Sequence, residues 1–375
     1  LRFFDLFAGV GGFRIGFERE GYRCIGFCEI DKHARKLYKA YFKTEEKGEF
    51  EWDDILTLNP EDLPDFEVLT AGLPCQPFSV VGKRRGLKDG RAYPLWSAMF
   101  RIIERKRPIV CVFENVKGLL SADRGWAFAY LLYKMDAFGY DAEWTIFNSK
   151  AFGVPQNRER IFAVFYFREK CRGQIFPFTE NDKVYYNFSK AKEEIHSDSE
   201  LAGTLTARQY SNWNGNFVYD PYNKKLKKEK VAGALRTNYS NGNSWIVELP
   251  NSVFSGQKRN KIQEAKPIKV GYVGKTDCQA NRVYSLDGIA ITLLSNGGGR
   301  GAKTGLYLTE ETKVRRLTPL ECFRLQGFSD DIYYKAKEIG ISDVQLYKMT
   351  GNAVTVQIPQ SIARKLKKVV FRREE

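Results

Sequence analysis

Phe3-Phe4-Asp5-Leu6-Phe7-Ala8-Gly9-Val10-Gly11-Gly12 opens the chain as an apolar run that breaks into glycines. A helical stretch follows at once and runs through Glu20. Strand, glycine turn and helix in that order begin a doubly wound α/β sheet, provided that further units follow. They do. Tyr22 to Cys28 reads as a second strand ending at Glu29. Val68 to Ala71, Ile109 to Phe113 and Ile161 to Phe165 are short apolar runs with the look of buried strands, and a helix from Leu95 to Arg105 lies between two of them.

The turn also limits the ligand. It lacks the Gly-Lys-Ser/Thr ending that cradles a triphosphate, and its glycines depart from the Gly-x-Gly-x-x-Gly spacing of a dinucleotide site. Glu29 and Asp31 stand at the end of the second strand, where a carboxylate takes ribose hydroxyls. Asp53-Asp54-Ile55 marks a third strand edge, where a carboxylate can take an adenine amino group. Phe7 offers a ring face to a cationic or aromatic group. An adenosyl ligand with a sulfonium and no phosphate fits best, which names S-adenosyl-L-methionine. A tight strand–helix connection with no ligand is the plain alternative.

Composition narrows the partner. The 375 residues carry a net charge of +15, and a polyanion, nucleic acid before membrane, is its natural match. No apolar run is long enough to cross a bilayer and no secretory signal opens the chain, whose start at Leu1 leaves room for a trimmed leader. Seven cysteines without a Cys-x-x-Cys pair, and two histidines, argue against structural zinc and against a disulfide framework. That fits a reducing cytoplasm and no metal. Scarce histidine leaves proton transfer to carboxylates, arginine or water.

The second half has another texture. Beyond about Phe178 the chain is rich in Asn, Ser, Gly, Tyr and Lys. Ala202-Gly203-Thr204-Leu205, Ala232-Gly233-Ala234-Leu235 and Ala290-Ile291-Thr292-Leu293 each lead through a polar tip into a strand: Phe217-Val218-Tyr219, Trp245-Ile246-Val247 and Leu306-Tyr307-Leu308. These are read as hairpins of a small, mostly β domain, too irregular for a solenoid. The lysines from Lys224 to Lys230 read as a solvated charge run. A helical pattern returns at Pro319 to Gln326, and a last amphipathic helix presents Ile358, Ile362, Leu366 and Val369 on one face. The expected domains are residues 1–185 with 341–375, and residues 186–340 between them.

One segment carries nucleophile chemistry. Gly72-Leu73-Pro74-Cys75-Gln76 puts a thiol after an apolar run, next to the basic stretch Gly82-Lys83-Arg84-Arg85-Gly86. Taken in order with Phe4-Asp5-Leu6-Phe7-Ala8-Gly9, Phe113-Glu114-Asn115-Val116, Gln156-Asn157-Arg158-Glu159-Arg160, Arg316-Leu317-Thr318-Pro319-Leu320-Glu321-Cys322 and Gly351-Asn352-Ala353-Val354, this set resembles the DNA cytosine-5 methyltransferases of bacterial restriction–modification type. The resemblance implies a Rossmann-like methyltransferase sheet with a smaller target-recognition domain, closing as a clamp on double-stranded DNA. It also implies a bacterial cytoplasmic setting at the nucleoid, a monomer, and a restriction endonuclease acting on the same site.

Carried over residue by residue, it makes Cys75 the nucleophile, Glu114 the acid, Arg160 the partner of cytosine O2 and Arg158 a support of the cysteine loop. The chemistry asks for these groups. Cytosine C5 is a poor nucleophile, and a thiolate added at C6 makes an enamine whose C5 is nucleophilic. Electrons move toward N3, where a protonated carboxyl stabilises them. Cofactor contacts fall on Asp5, Phe7, Gly9, Val10, Gly12, Glu29, Ile30, Asp54, Ile55, Pro74, Asn352 and Ala353. Ile30 departs from the family, in which an aromatic often flanks the adenine. DNA contacts fall on Lys83, Arg84 and Arg85 for phosphates, and on Gln279, Arg282, Asn296 and Gly298 for the recognition loops. Val80 to Gly90 would close behind a cytosine flipped out of the duplex. A tRNA-modifying relative and an inactive DNA-binding relative remain the alternatives.

Overall fold

The computed structural model describes residues 1–74, 92–171, 175–185, 217–220, 225–228, 266–273, 277, 281–294, 305–308 and 314–371. In the first part of the chain the strands are β1 (Arg2–Leu6), β2 (Arg23–Cys28), β3 (Phe50–Trp52), β4 (Val68–Gly72), β5 (Val110–Val116), β6 (Tyr140–Asn148) and β7 (Glu159–Phe167). They form one sheet in the order β3-β2-β1-β4-β5-β7-β6. The first five lie parallel, while β7 runs antiparallel to both β5 and β6. Parallel strands are covered on both faces, which is why β1, β4 and β5 are apolar and almost wholly buried along their length.

Helices supply the covers. On one face, α3 (Ala92–Lys106) and α4 (Trp126–Ala137) bring Trp96, Met99, Ile103, Phe128, Leu131 and Met135 against Leu69, Cys111 and Phe165. On the other face, α1 (Gly12–Arg19) and the C-terminal helix α8 (Gln357–Val369) place Phe13, Phe17, Ile358, Ile362 and Leu366 over Phe3, Val112 and Val164. Each of those aliphatic side chains stabilises by roughly 1.5–3 kcal/mol when buried. That is ample to bring the end of the chain back onto its first domain. Of the expected face of α8, Val369 alone stays out, 42% exposed beyond the edge of α1's cover.

The remaining helices are α2 (Lys32–Phe42), α5 (Pro319–Arg324), α6 (Asp330–Glu338) and α7 (Asp343–Asn352). Asp31 starts α2 by accepting the His33 and Ala34 N–H groups at 2.9 and 3.1 Å. Thr318 and Glu321 start α5 with a reciprocal capping box. Ile332 and Ala336 of α6 share a core with Leu37 and Tyr38 of α2. The C-terminal helices thus pack on the first sheet's side from α6 onward, ahead of residue 340. Helix α5 itself faces both ways, giving Phe323 to that core and Cys322 to one formed with Tyr284, Leu293 and Tyr307.

A second sheet runs β13-β12-β11-β10-β9-β8. Its strands are β8 (Phe217–Asp220), β9 (Lys225–Lys228), β10 (Lys269–Val273), β11 (Arg282–Ser285), β12 (Leu306–Leu308) and β13 (Val314–Arg316). The lysine run, expected as a solvated charge run, contributes the strand Lys225–Lys228, whose backbone pairs with both β8 and β10. The Trp245 strand lies outside the described residues.

Close packing of α1 on α8 depends on Gly16. A Cβ there would stand 2.7 Å from the Gln360 nitrogen and 2.9 Å from Pro359 Cβ. In a helix, Gly→Ala alone gains about 1 kcal/mol, whereas overpacking costs about 1–3 kcal/mol. The clash wins, so Gly16→Ala is expected to lower stability in a denaturant melt; a stabilised variant would show that α8 is not seated as described.

Candidate active site

The order β2-β1-β4 makes β1 the switch strand, flanked by connections leaving to opposite sides. Its carboxyl end is where backbone is shaped for a ligand. Phe7, Gly9 and Gly11 all have left-handed φ, at 53, 55 and 85°. For Phe7 this is a strained state that the surrounding turn must hold. A Cβ added at Gly9 would meet nothing within 4 Å, so this position faces open space. Gly11 caps α1 with no side-chain partner for its first-turn N–H groups.

Glu29 fixes this edge. One carboxylate oxygen accepts the Gly9 N–H at 2.7 Å and the other accepts the Asp31 N–H at 2.7 Å. Burial pushes its carboxyl up, while those two N–H groups pull it down. The carboxylate thus ties the end of β1 to the end of β2. Ile30 stands out at 67% exposed beside it. Asp54 is half-buried and accepts the Leu56 N–H at 3.0 Å, and Pro74 and Asn352 are also accessible. Val10, Ile55 and Ala353 are buried, so only their backbones can face a ligand. Gly12 is closed off by the Val354 carbonyl, 2.3 Å from where its Cβ would be.

Asp5, expected at the cofactor edge, turns its side chain into the core with no exposure at all. Thr70 donates to one oxygen at 2.8 Å and Tyr38 to the other at 3.3 Å. Burial pushes its carboxyl up to about 7, against those hydrogen bonds and Arg14. Asp5 therefore braces the turn from beneath. Arg14, itself buried, is held by a bidentate pair with Glu49 at 2.6 and 2.7 Å and lies over the Phe42 ring.

The acid sits one strand further on. Glu114 on β5 is opposite Gly72 of β4, and its carbonyl accepts the Leu73 N–H at 3.1 Å. The strand that leads toward Cys75 is thereby pinned beside it. Arg160 on β7 forms an ion pair with the Glu114 carboxylate at 3.2 Å. Burial pushes the Glu114 carboxyl up, while Arg160 and then Arg158 pull it down; burial is the larger effect.

Arg158 takes a different task from Arg160. It is buried, and its terminal nitrogens donate to the carbonyls of Leu293 at 3.2 Å, Gly351 at 3.3 and 3.4 Å and Ala353 at 2.8 Å. Its described bonds thus support the Asn352 turn and the segment at Leu293. The cysteine loop it was expected to support falls outside the described residues. So do Cys75, Lys83, Arg84, Arg85, Gln279, Asn296 and Gly298. Arg282 is described on β11, away from this pocket and half-buried.

Several supports escape a reading by motif. The Asn148 side chain accepts the Arg158 N–H at 3.1 Å and donates to Asn157 at 2.8 Å, fixing the entry to β7. Thr292, between β11 and β12, donates to the Asn157 carbonyl at 2.5 Å. Gln326 receives the Thr355 hydroxyl at 2.8 Å, and Thr355 meets Ser149 at 2.9 Å. Only the Asn-Ser pair at the end of a strand hints at such a role in sequence. Among the described residues, no cluster of His, Cys, Asp and Glu could hold a metal ion, and no helix is long and apolar enough to cross a membrane.

Comparison with known proteins now gives the family. Residues 1–368 match the C-5 cytosine-specific DNA methylases. The chain belongs to this family. The type II methyltransferase M.HhaI of Haemophilus parahaemolyticus is 33% identical over 365 residues, which cover 97% of this chain and 93% of that one. The orphan methyltransferase M.SPRI of Bacillus phage SPR is 31% identical, across 98% of this chain and 97% of its own. Among solved structures, the Entamoeba histolytica methyltransferase EhMeth superimposes with a TM-score of 0.60 at 15% identity, covering 98% of both chains. Dnmt2 of S. pombe gives 0.59 at 15% identity, over 98% of this chain and 99% of that one. Those two structures support the fold of this DNA methyltransferase.

A carboxyl raised by burial binds its proton more tightly in the folded state. Stability then falls as pH rises from the ordinary glutamate range through the raised value, and stays lower above it. In this methyltransferase, Glu114→Gln removes the buried charge. The variant is expected to melt higher than the parent at pH 8, with the gap closing below about pH 4, the unfolded range of glutamate. Thermal melts across that range check it; a variant less stable at pH 8 alone would mean that the pair with Arg160 outweighs burial.

Proposed function

We propose that this enzyme transfers a methyl group from S-adenosyl-L-methionine to C5 of a cytosine flipped out of duplex DNA, through a covalent bond between Cys75 and C6. The observation that carries the reading is the dry Glu114 carboxyl beside Arg160, next to the strand end that leads into Pro74 and Cys75. The family's description supplies the class of nucleic acid.

The cofactor edge fits an adenosyl ligand. Gly9 leaves the space that a side chain would fill, Glu29 offers further lone pairs to ribose hydroxyls, and exposed Ile30 offers an apolar shelf to the base. The uncapped N-terminus of α1 suits a carboxylate. When bound, S-adenosylmethionine supplies the methyl group that C5 takes. Asp54 and Asn352 are the remaining polar groups at the rim.

Each protein group then has a stated task. The Cys75 thiolate adds to C6, and the displaced electron pair moves toward N3, where Glu114 donates its proton. Arg160 turns from its carboxylate partner to cytosine O2, and Arg158 keeps the Asn352 turn in place. With the methyl on C5, water takes the C5 proton, the electron pair expels the thiolate, and N3 returns its proton to the Glu114 carboxylate. Residues 1–185 and the C-terminal helices form the catalytic unit, and the β8–β13 sheet carries the recognition loops. Lys83, Arg84 and Arg85 meet phosphates, Arg282 reads a guanine and Gln279 fills the space left by the flipped base.

Duplex DNA and tRNA offered side by side with tritiated methyl donor should show label in DNA and none in tRNA. Cys75→Ser is expected to lose turnover, and the parent enzyme to form an adduct with 5-fluorocytosine DNA that survives denaturation. Normal methylation by the serine variant would defeat the covalent route. Separately, Lys83→Ala should weaken binding to all duplexes alike and flatten the salt dependence by about one phosphate contact. A sequence-selective loss there would remove Lys83 from the phosphate set.

A further inference from the structure

The β10–β11 hairpin holds a charge arrangement that no motif announces. Asp277 lies in the connection between the two strands and bridges both of them. One of its oxygens accepts the Arg282 Nε–H at 2.7 Å on β11, while the other pairs with the Lys269 ammonium on β10. The ladder places Arg282 opposite Tyr272 and Lys269 opposite Tyr284, so the carboxylate spans the hairpin. Both cations keep the Asp277 carboxyl below the usual carboxylate range.

The choice of atom matters. A guanidinium presents five N–H donors in a rigid plane, and Asp277 takes the one nearest the stem. The terminal pair of nitrogens, the end that meets guanine O6 and N7, is then carried forward in a fixed plane. An arginine free to rotate about its four side-chain bonds would contact phosphates and bases of any sequence.

We infer that Asp277 is a specificity-positioning residue, which orients Arg282 for base readout and does not itself touch the reacting cytosine. The inference rests on the proposed reading of Arg282. Lys269, held on the second oxygen, keeps the carboxylate from swinging toward the negatively charged backbone.

The test is methylation of a random-sequence duplex library, with sequence preference scored at every position around the modified cytosine. Arg282→Ala is expected to lose preference at one position. Asp277→Asn should lose it at the same position by roughly fivefold or more, on the scale of one bidentate base contact. Asp277→Glu should restore at least part of the preference. General affinity at low salt should hold or rise in Asp277→Asn, because a negative charge has left the DNA side. If Arg282→Ala loses its preference and Asp277→Asn keeps it, the positioning role is overturned. If Arg282→Ala keeps its preference, the reading of Arg282 fails and the inference falls with it.

Discussion

A single buried guanidinium holds the working parts in register. Arg158 leaves the strand that carries Arg160 and donates to carbonyls of Leu293, Gly351 and Ala353. Three segments far apart in sequence therefore meet at one planar cation. Burying such a charge costs several kcal/mol, which the bonds donated to these carbonyls offset. The geometry is correspondingly intolerant, since displacing any of the three segments strands a donor or an acceptor in the interior. Through this contact the Asn352 turn, the start of β7 and the segment at Leu293 are positioned as a unit.

Much of the first domain could be read in advance because buried parallel strands are continuous apolar runs. Val68–Gly72, Val110–Val116 and Glu159–Phe167 all fall where the pattern puts them, with ends moved by a residue or more. Strand β6 was not legible. It lies at the edge of the sheet, and Asp141, Glu143 and Thr145 dilute its apolar pattern. Strand β3, three residues long, shows in sequence only by its end, where Asp53-Asp54-Ile55 marks the edge. Helix α2 is dominated by lysines, and its identity rests on the Asp31 cap and on Leu37, Tyr38 and Phe42 turning inward.

Site residues divide along similar lines. Glu114 and Arg160 stand out in the sequence because strand-end polar residues in an apolar context are hard to explain by packing alone, while the ion pair between them shows only in the fold. Asp5 also stands at a strand end, but Thr70 and Tyr38, which hold its carboxylate, come from other elements, so nothing local says that it is spoken for. Glu29 lies at the end of β2, and its bonds to the Gly9 and Asp31 backbone are a use that no sequence pattern displays.

The same sheet holds two buried carboxyls in contrasting settings, and the contrast separates scaffold from chemistry. Asp5 has hydroxyls on both oxygens and no exposure, so its proton has nowhere to go. Glu114 is 7% exposed, meets a guanidinium that is itself partly accessible, and lies at the strand end where the chain turns toward Cys75. Burial raises both, but only the second has a route by which a proton can be handed to something outside the fold. A base pressed against Glu114 would complete its desolvation and take Arg160 away as counterion. Each change favours the protonated acid. Substrate arrival itself would then prepare the group that the proposed reaction needs, without any other residue having to move a proton first.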